Sequence, residues 1–322
     1  MDKKEKLLQK RVAGLFALLC VIFFQFFDSD HLFLKEEVVS VASLPEVLVG
    51  YWGKPAWLAC SMAKVLTSLF VPVGGGAVLI TAVLMLEWWA SLFILRKFNV
   101  GDMAPLYALF PVVMEWGTYC SPYYHLNSIL SLVIVLYIFC GYIQIKVKWL
   151  SWVTGFILLF AVYCMVGSRL FIFVILVLLY EAEIGEKHWV YWALLLITGT
   201  VLPEFLKELY SLSEEQAYQY PQAWLPAFFP AIMLACVLVA TQFKKVRYMQ
   251  ISVWSVSVTS GLLLVCWRLL RSAMLLAEKS KCFLHVFRRV DTDCLLLGDA
   301  DFYLVAVFEP SELFQAFGKL QR

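Results

Sequence analysis

Apolar residues in this chain come in long unbroken runs, not at alternating positions, and most runs stop at a basic or turn-forming cluster. The runs cover residues 12–27, 73–95, 104–119, 126–145, 149–166, 170–180, 189–202, 224–242 and 251–267. In hydrocarbon every backbone N–H and C=O must find a partner inside the protein, which leaves helices and closed barrels. Barrel strands alternate apolar and polar positions, and these runs do not. The pattern predicts an all-α, polytopic helical bundle with about nine transmembrane helices, some shorter than the roughly 20 residues of an upright crossing. Residues 104–119 and 170–180 are short enough to be re-entrant, with Gly167-Ser168-Arg169 as a tight turn before the latter. Residues 203–222 are polar and predict a short external helix.

Between the first two runs lies a loop, 28–72, whose Val47, Leu48, Tyr51, Trp52, Trp57, Leu58 and Met62 predict helices lying in the membrane interface. Such helices could wall a cavity or simply cap the bundle. The first run follows Lys3, Lys4, Lys6, Lys10 and Arg11 and ends in Phe23, Phe24, Phe26 and Phe27 with no small-residue cleavage site behind it. It predicts an uncleaved helix with a cytoplasmic N-terminus. The domain division expected is a bundle over 1–267 and an external tail over 268–322, with a truncated or altered C-terminus.

Composition agrees with the pattern. The 322 residues are 62% hydrophobic and 16% charged, with mean hydropathy +0.80; ordinary globular chains are nearer half apolar and a quarter charged. Basic residues test the layout. Loops expected inside hold Lys3, Lys4, Lys6, Lys10, Arg11, Arg96, Lys97, Lys146, Lys148, Lys187, Lys244, Lys245 and Arg247; those expected outside before the tail hold only Lys35, Lys54, Lys64, Arg169 and Lys207. This is a positive-inside bias. Trp88, Trp89, Trp149, Trp152, Trp189, Trp192 and Trp224 fall near run ends, as interfacial belts require. A net charge of +2 without a basic stripe predicts no nucleic-acid partner. Cys20, Cys140, Cys164, Cys236 and Cys266 lie inside apolar runs and read as packing residues, and no Cys/His spacing marks a metal site.

Candidate chemistry concentrates at the expected outer face. Asp28, Asp30 and His31 follow the first run directly. An acid there could act as general base on an acceptor hydroxyl, and with His31 could hold a divalent cation over a phosphate; no other cofactor is implied. The plain alternative is that Asp28 or Asp30 caps a helix. Glu87 and Glu115 sit inside runs, where acids usually face a bundle interior or a cavity. Glu115, beside Tyr123 and His125, is placed to line an outer substrate site, whereas Glu87 is expected to snorkel near the inner surface. Arg169 is expected to bind phosphate or to anchor in the headgroups.

Asp28-Ser29-Asp30 after the first span, then Gly53-Lys54-Pro55 and a glycine-rich second span, resemble the front end of GT-C-type membrane glycosyltransferases. That resemblance implies transfer of a sugar from a polyprenyl-phosphate carrier at the outer face, with Asp28 or Asp30 as the catalytic base. His31-Leu-Phe-Leu-Lys-Glu-Glu, Lys54-Pro-Ala-Trp-Leu-Ala-Cys and Gly74-Gly-Gly-Ala-Val more closely resemble an uncharacterised family of bacterial polytopic proteins, whose members run longer at the external C-terminus. It implies residence in the bacterial inner membrane. Two other function classes fit the same features: a non-enzymatic component of an envelope assembly complex, and a transporter with Glu87 and Glu115 as coupling acids.

Overall fold

The computed structural model describes residues 3–27, 48–70, 74–100, 103–120, 124–184, 189–221 and 228–242. They belong to one compact unit, Met1–Cys266. Among the described residues every regular element is helical: α1 Lys3–Phe26, α2 Trp57–Thr67, α3 Gly75–Lys97, α4 Ala104–Tyr107, α5 Leu109–Tyr119, α6 Leu126–Tyr142, α7 Lys148–Val166, α8 Leu170–Ile184, α9 Trp189–Tyr210, α10 Glu214–Gln219 and α11 Phe229–Gln242. The predicted ninth run and the tail lie outside the described residues.

Among the described residues four stretches are long and apolar enough to cross a membrane: Lys6–Phe26, Gly75–Lys97, Lys148–Glu183 and Trp189–Tyr210. The other described runs of the nine expected form shorter helices or fold back, and the sequence shows why. Pro111 has no N–H for the carbonyl of Tyr107, so the run 104–119 splits into α4 and α5. α6 and α11 are 17 and 14 residues long, about 25 and 21 Å at 1.5 Å per residue. The stretch Lys148–Glu183 folds back on itself at Gly167–Arg169. Tyr142, at the end of α6, bonds to Glu181 near the end of α8 and lies beside Gly155 near the start of α7, so α7 and α8 are antiparallel.

α1 and α3 are also antiparallel. Gln25 lies against Gly74, and Arg96 Nη2 donates to Gln9 Oε1 at 2.8 Å at the other end. Trp116 packs edge-on against Phe23 and Tyr119 against Phe24, which sets the end of α5 beside the end of α1. α6 and the α7–α8 hairpin form the centre, with α2 on α6 and α7, and α11 on α5 and α8. On α7 the buried residues Ser151, Gly155, Leu159, Val162 and Val166 form one helical stripe, while Trp149, Ile157 and Phe160 are exposed. A helix apolar on both its packed and its exposed face suits lipid and not water.

Three expectations change. α9 was expected to stop at Leu202 but runs through Pro203 to Tyr210. The carbonyl that loses its bond belongs to Gly199, where no side chain crowds the proline ring, and Gly199 itself packs closely on Val174. Trp88 is not part of a belt: it is fully buried and donates to the Pro105 carbonyl at 3.1 Å, whereas Trp89, Trp149 and Trp189 are exposed. The polar stretch after α9 contributes only α10, closed by a capping box between Ser213 and Gln216.

The hairpin turn depends on glycine. Gly167 has φ +69° and ψ −132°, and a Cβ there would overlap the Tyr220 carbonyl and approach Ala56 Cβ at 3.2 Å. The Tyr220 carbonyl accepts from the Ser168 N–H at 2.8 Å, so the crowding cannot be relieved without losing that bond. Gly167→Ala is expected to destabilise the fold by about 1–3 kcal/mol. Thermal unfolding in detergent checks this; an unchanged midpoint would show that the turn does not rest on the glycine.

Candidate functional site

The end of the bundle where α1 finishes and α3 begins gathers most of the predicted site residues that the structure describes. Asp28, Asp30, His31 and Tyr123 lie outside the described residues. Phe27, the residue before Asp28, closes the last turn of α1 through its N–H to the Phe23 carbonyl at 2.8 Å.

Glu115, expected to face an outer cavity, is fully buried. Tyr124 Oη donates to Glu115 Oε1 at 2.6 Å, and Arg169 Nη2 donates to Tyr124 Oη at 3.3 Å. The Arg169 guanidinium also lies over the Phe228 ring, 5.0 Å from its centroid. Arg169 is 1% exposed, so it is neither a headgroup anchor nor open to solvent. The tight turn predicted at Gly167–Arg169 is present, but it turns the arginine inward. Burial, then the Glu115 carboxyl, push the Tyr124 hydroxyl well above its ordinary range, so it remains a phenol that can donate.

Glu87 is also fully buried, not at a surface as expected. Neither of its carboxyl oxygens has a hydrogen-bond partner among the described residues, nor has Ser91 Oγ one turn further along α3. Glu87 and Glu115 interact electrostatically. The two acids were expected near opposite surfaces; both instead lie inside the bundle.

His125 follows Tyr124 and takes an extended conformation, φ −90° and ψ 165°, immediately before α6. Successive side chains in extended backbone point to opposite sides. Tyr124 is buried in the core, while His125 is half-buried and lines a cavity of about 200 Å³. Its other walls are Tyr51, the α2 residues Cys60, Ala63, Lys64 and Thr67, and Asn127 of α6. Thus the loop helix expected as a possible cavity wall does line one. The cavity presents an ammonium, an imidazole, a carboxamide and hydroxyls, and among the described residues no carboxylate lines it. That set suits an anion with several acceptor oxygens. Lys64 and Asn127 were not singled out from sequence. The usable signal was Lys64 on the buried-and-amphipathic α2, and an asparagine opening an otherwise apolar helix.

A second polar knot ties the opposite end. Tyr142 Oη donates to Glu181 Oε1 at 2.9 Å and lies 3.2 Å from Tyr191 Oη. It joins α6, α8 and α9, and sequence reasoning missed it because each residue alone resembles an ordinary run end. Among the described residues no group of three or more His, Cys, Asp or Glu could hold a metal.

Residues 4–306 match the model of a family of unknown function (DUF6057). No curated protein and no solved structure matches the chain significantly.

The Tyr124 hydroxyl is both donor to Glu115 and acceptor for Arg169. Tyr124→Phe leaves two buried ionisable groups without it and is expected to destabilise the fold by about 1–3 kcal/mol. A thermal shift assay in detergent measures this, with Tyr137→Phe, an exposed tyrosine on the same helix bundle, as the reference.

Proposed function

The chain thus belongs to a family that brings no activity with it, and we propose that it is a multi-pass membrane protein binding a phosphate-bearing lipid carrier in the Lys64–His125–Asn127 cavity. In the fuller form of this reading it is a GT-C-like transferase of the bacterial inner membrane, using a polyprenyl-phosphate-linked sugar. The observation that carries the reading is the gathering of Lys64, His125 and Asn127 in the lining of one cavity. It lies at the bundle end where α1 stops, so Asp28 and Asp30 follow in sequence from that same end.

Orientation is part of the proposal. Arg96 and Lys97 at the end of α3 lie beside the start of α1, which carries Lys6, Lys10 and Arg11, and Lys148 opens α7 at that same end. A positive-inside arrangement then sets these in the cytoplasm and the cavity outside. In the transfer step Asp28 or Asp30 takes the proton of an acceptor hydroxyl. The acceptor oxygen bonds to the anomeric carbon as the bond from that carbon to the carrier's phosphate oxygen breaks. Lys64, His125 and Asn127 hold the departing phosphate, and its accumulating charge is steadied by the ammonium.

Native mass spectrometry of the protein in mild detergent tests binding before chemistry. The wild type is expected to retain a polyprenyl phosphate, and Lys64→Ala with Asn127→Ala to lose it, by about tenfold or more in occupancy. Asp28→Asn with Asp30→Asn is expected to keep the lipid and abolish transfer. Retention of bulk phospholipid alone, together with a co-purifying protein, would replace this reading with that of an assembly component.

A further inference from the structure

α3 carries a pair of buried polar side chains outside the cavity already described. Glu87 and Ser91 are one helical turn apart on the same face, and both are 0% exposed. Both oxygens of Glu87 and the hydroxyl of Ser91 have no hydrogen-bond partner among the described residues. Buried polar atoms in native proteins nearly always have a partner. Three such atoms within one turn are therefore a local deficit that a ligand would fill.

The charge count points the same way. Among the described residues the buried groups that interact here are two carboxyls, Glu87 and Glu115, the neutral phenol of Tyr124, and one guanidinium, Arg169. Glu115 and Arg169 are both engaged with Tyr124. Glu87 is left as the carboxyl without a hydrogen-bonded counter-group, in an interior where an uncompensated charge is strongly unfavourable. One added positive charge balances it.

We propose that Glu87 and Ser91 form a binding site for one monovalent cation, a proton or sodium, within the bundle. It is distinct from the Lys64–His125–Asn127 cavity, whose lining suits an anion. Among the described residues the titratable groups that interact with it are few. Glu115 comes from α5 and Tyr124 from the segment leading into α6. α1, which packs on α3, carries no charged side chain from Val12 to Phe26. Trp88, the next residue after Glu87, is also fully buried and gives the site an intrinsic fluorophore. A site for an exchangeable cation inside the spans is what a coupling ion requires. The inference does not depend on the transferase reading.

The experiment uses the full chain in detergent, titrated with sodium chloride against N-methylglucamine chloride at constant ionic strength. Thermal unfolding and tryptophan emission are recorded at several pH values. For a sodium site, saturating sodium raises the midpoint by roughly 5 °C in the wild type; the shift disappears in Glu87→Gln and shrinks in Ser91→Ala. For a proton site, sodium has no effect, and infrared difference spectra show a protonated-carboxyl band that Glu87→Gln removes and Glu115→Gln leaves. Should Glu87→Gln fail to fold, Glu87→Asp moves that band and Ser91→Ala serves the sodium measurement. No sodium shift together with no Glu87-dependent band overturns the proposal.

Discussion

A guanidinium cannot be left alone in the interior of a bundle this apolar. Arg169 is carried into the core by the turn between α7 and α8, and there it meets the Tyr124 hydroxyl and the face of Phe228. Tyr124 passes the connection to Glu115 on α5. One arginine thus ties together the α7–α8 hairpin, the entry to α6, α5 and the entry to α11. Dispersion packing supplies most of the attraction between helices in lipid, but it is nearly indifferent to register. The polar chain is not indifferent, because its distances fail if any of these elements slides by a turn.

The two ends of the bundle are secured differently. At the cavity end the network contains opposite charges and one bridging phenol. At the other end Tyr142, Tyr191 and Glu181 hold α6, α9 and α8 with hydroxyls and a single carboxyl. The central helices are therefore pinned at both termini, with close glycine contacts between: Gly155 admits the Tyr191 hydroxyl, where a Cβ would stand only 2.5 Å from it, and Gly199 admits Val174. The cavity thus lies over helices that are tied together, and the α2 wall is the element laid over them.

Much of this was legible in the sequence, and what was not has specific causes. Long apolar runs gave the helices, since nothing else satisfies the backbone in hydrocarbon. Gly167-Ser168-Arg169 announced the hairpin turn, because a glycine beside an arginine interrupts an otherwise continuous apolar stretch. Depth was not legible. Glu87 and Trp88 are neighbours in sequence to an exposed Trp89, and only the rotation of α3 decides which of them enters the core. Tyr124 could not be preferred to Tyr123 or Tyr119 for the same reason. Pro203 reads as a stop, yet the identity of residue 199 four positions earlier makes it tolerable. The polar partners Tyr142, Glu181 and Tyr191 are separated by 39 and 49 residues from Tyr142 along the chain, and no local pattern joins them.

The lengths of the helices also have a consequence for the surrounding bilayer. α8 has 15 residues, about 22 Å, which is well short of a hydrocarbon thickness near 30 Å. A short helix facing lipid would force the bilayer to thin around it. Two of the short helices, α6 and α8, are largely enclosed, whereas α1 and α9, with 24 and 22 residues, present more exposed surfaces. For α6 and α8 the hydrophobic mismatch is thereby moved off the lipid boundary and into the protein, and the bilayer meets the long helices there instead.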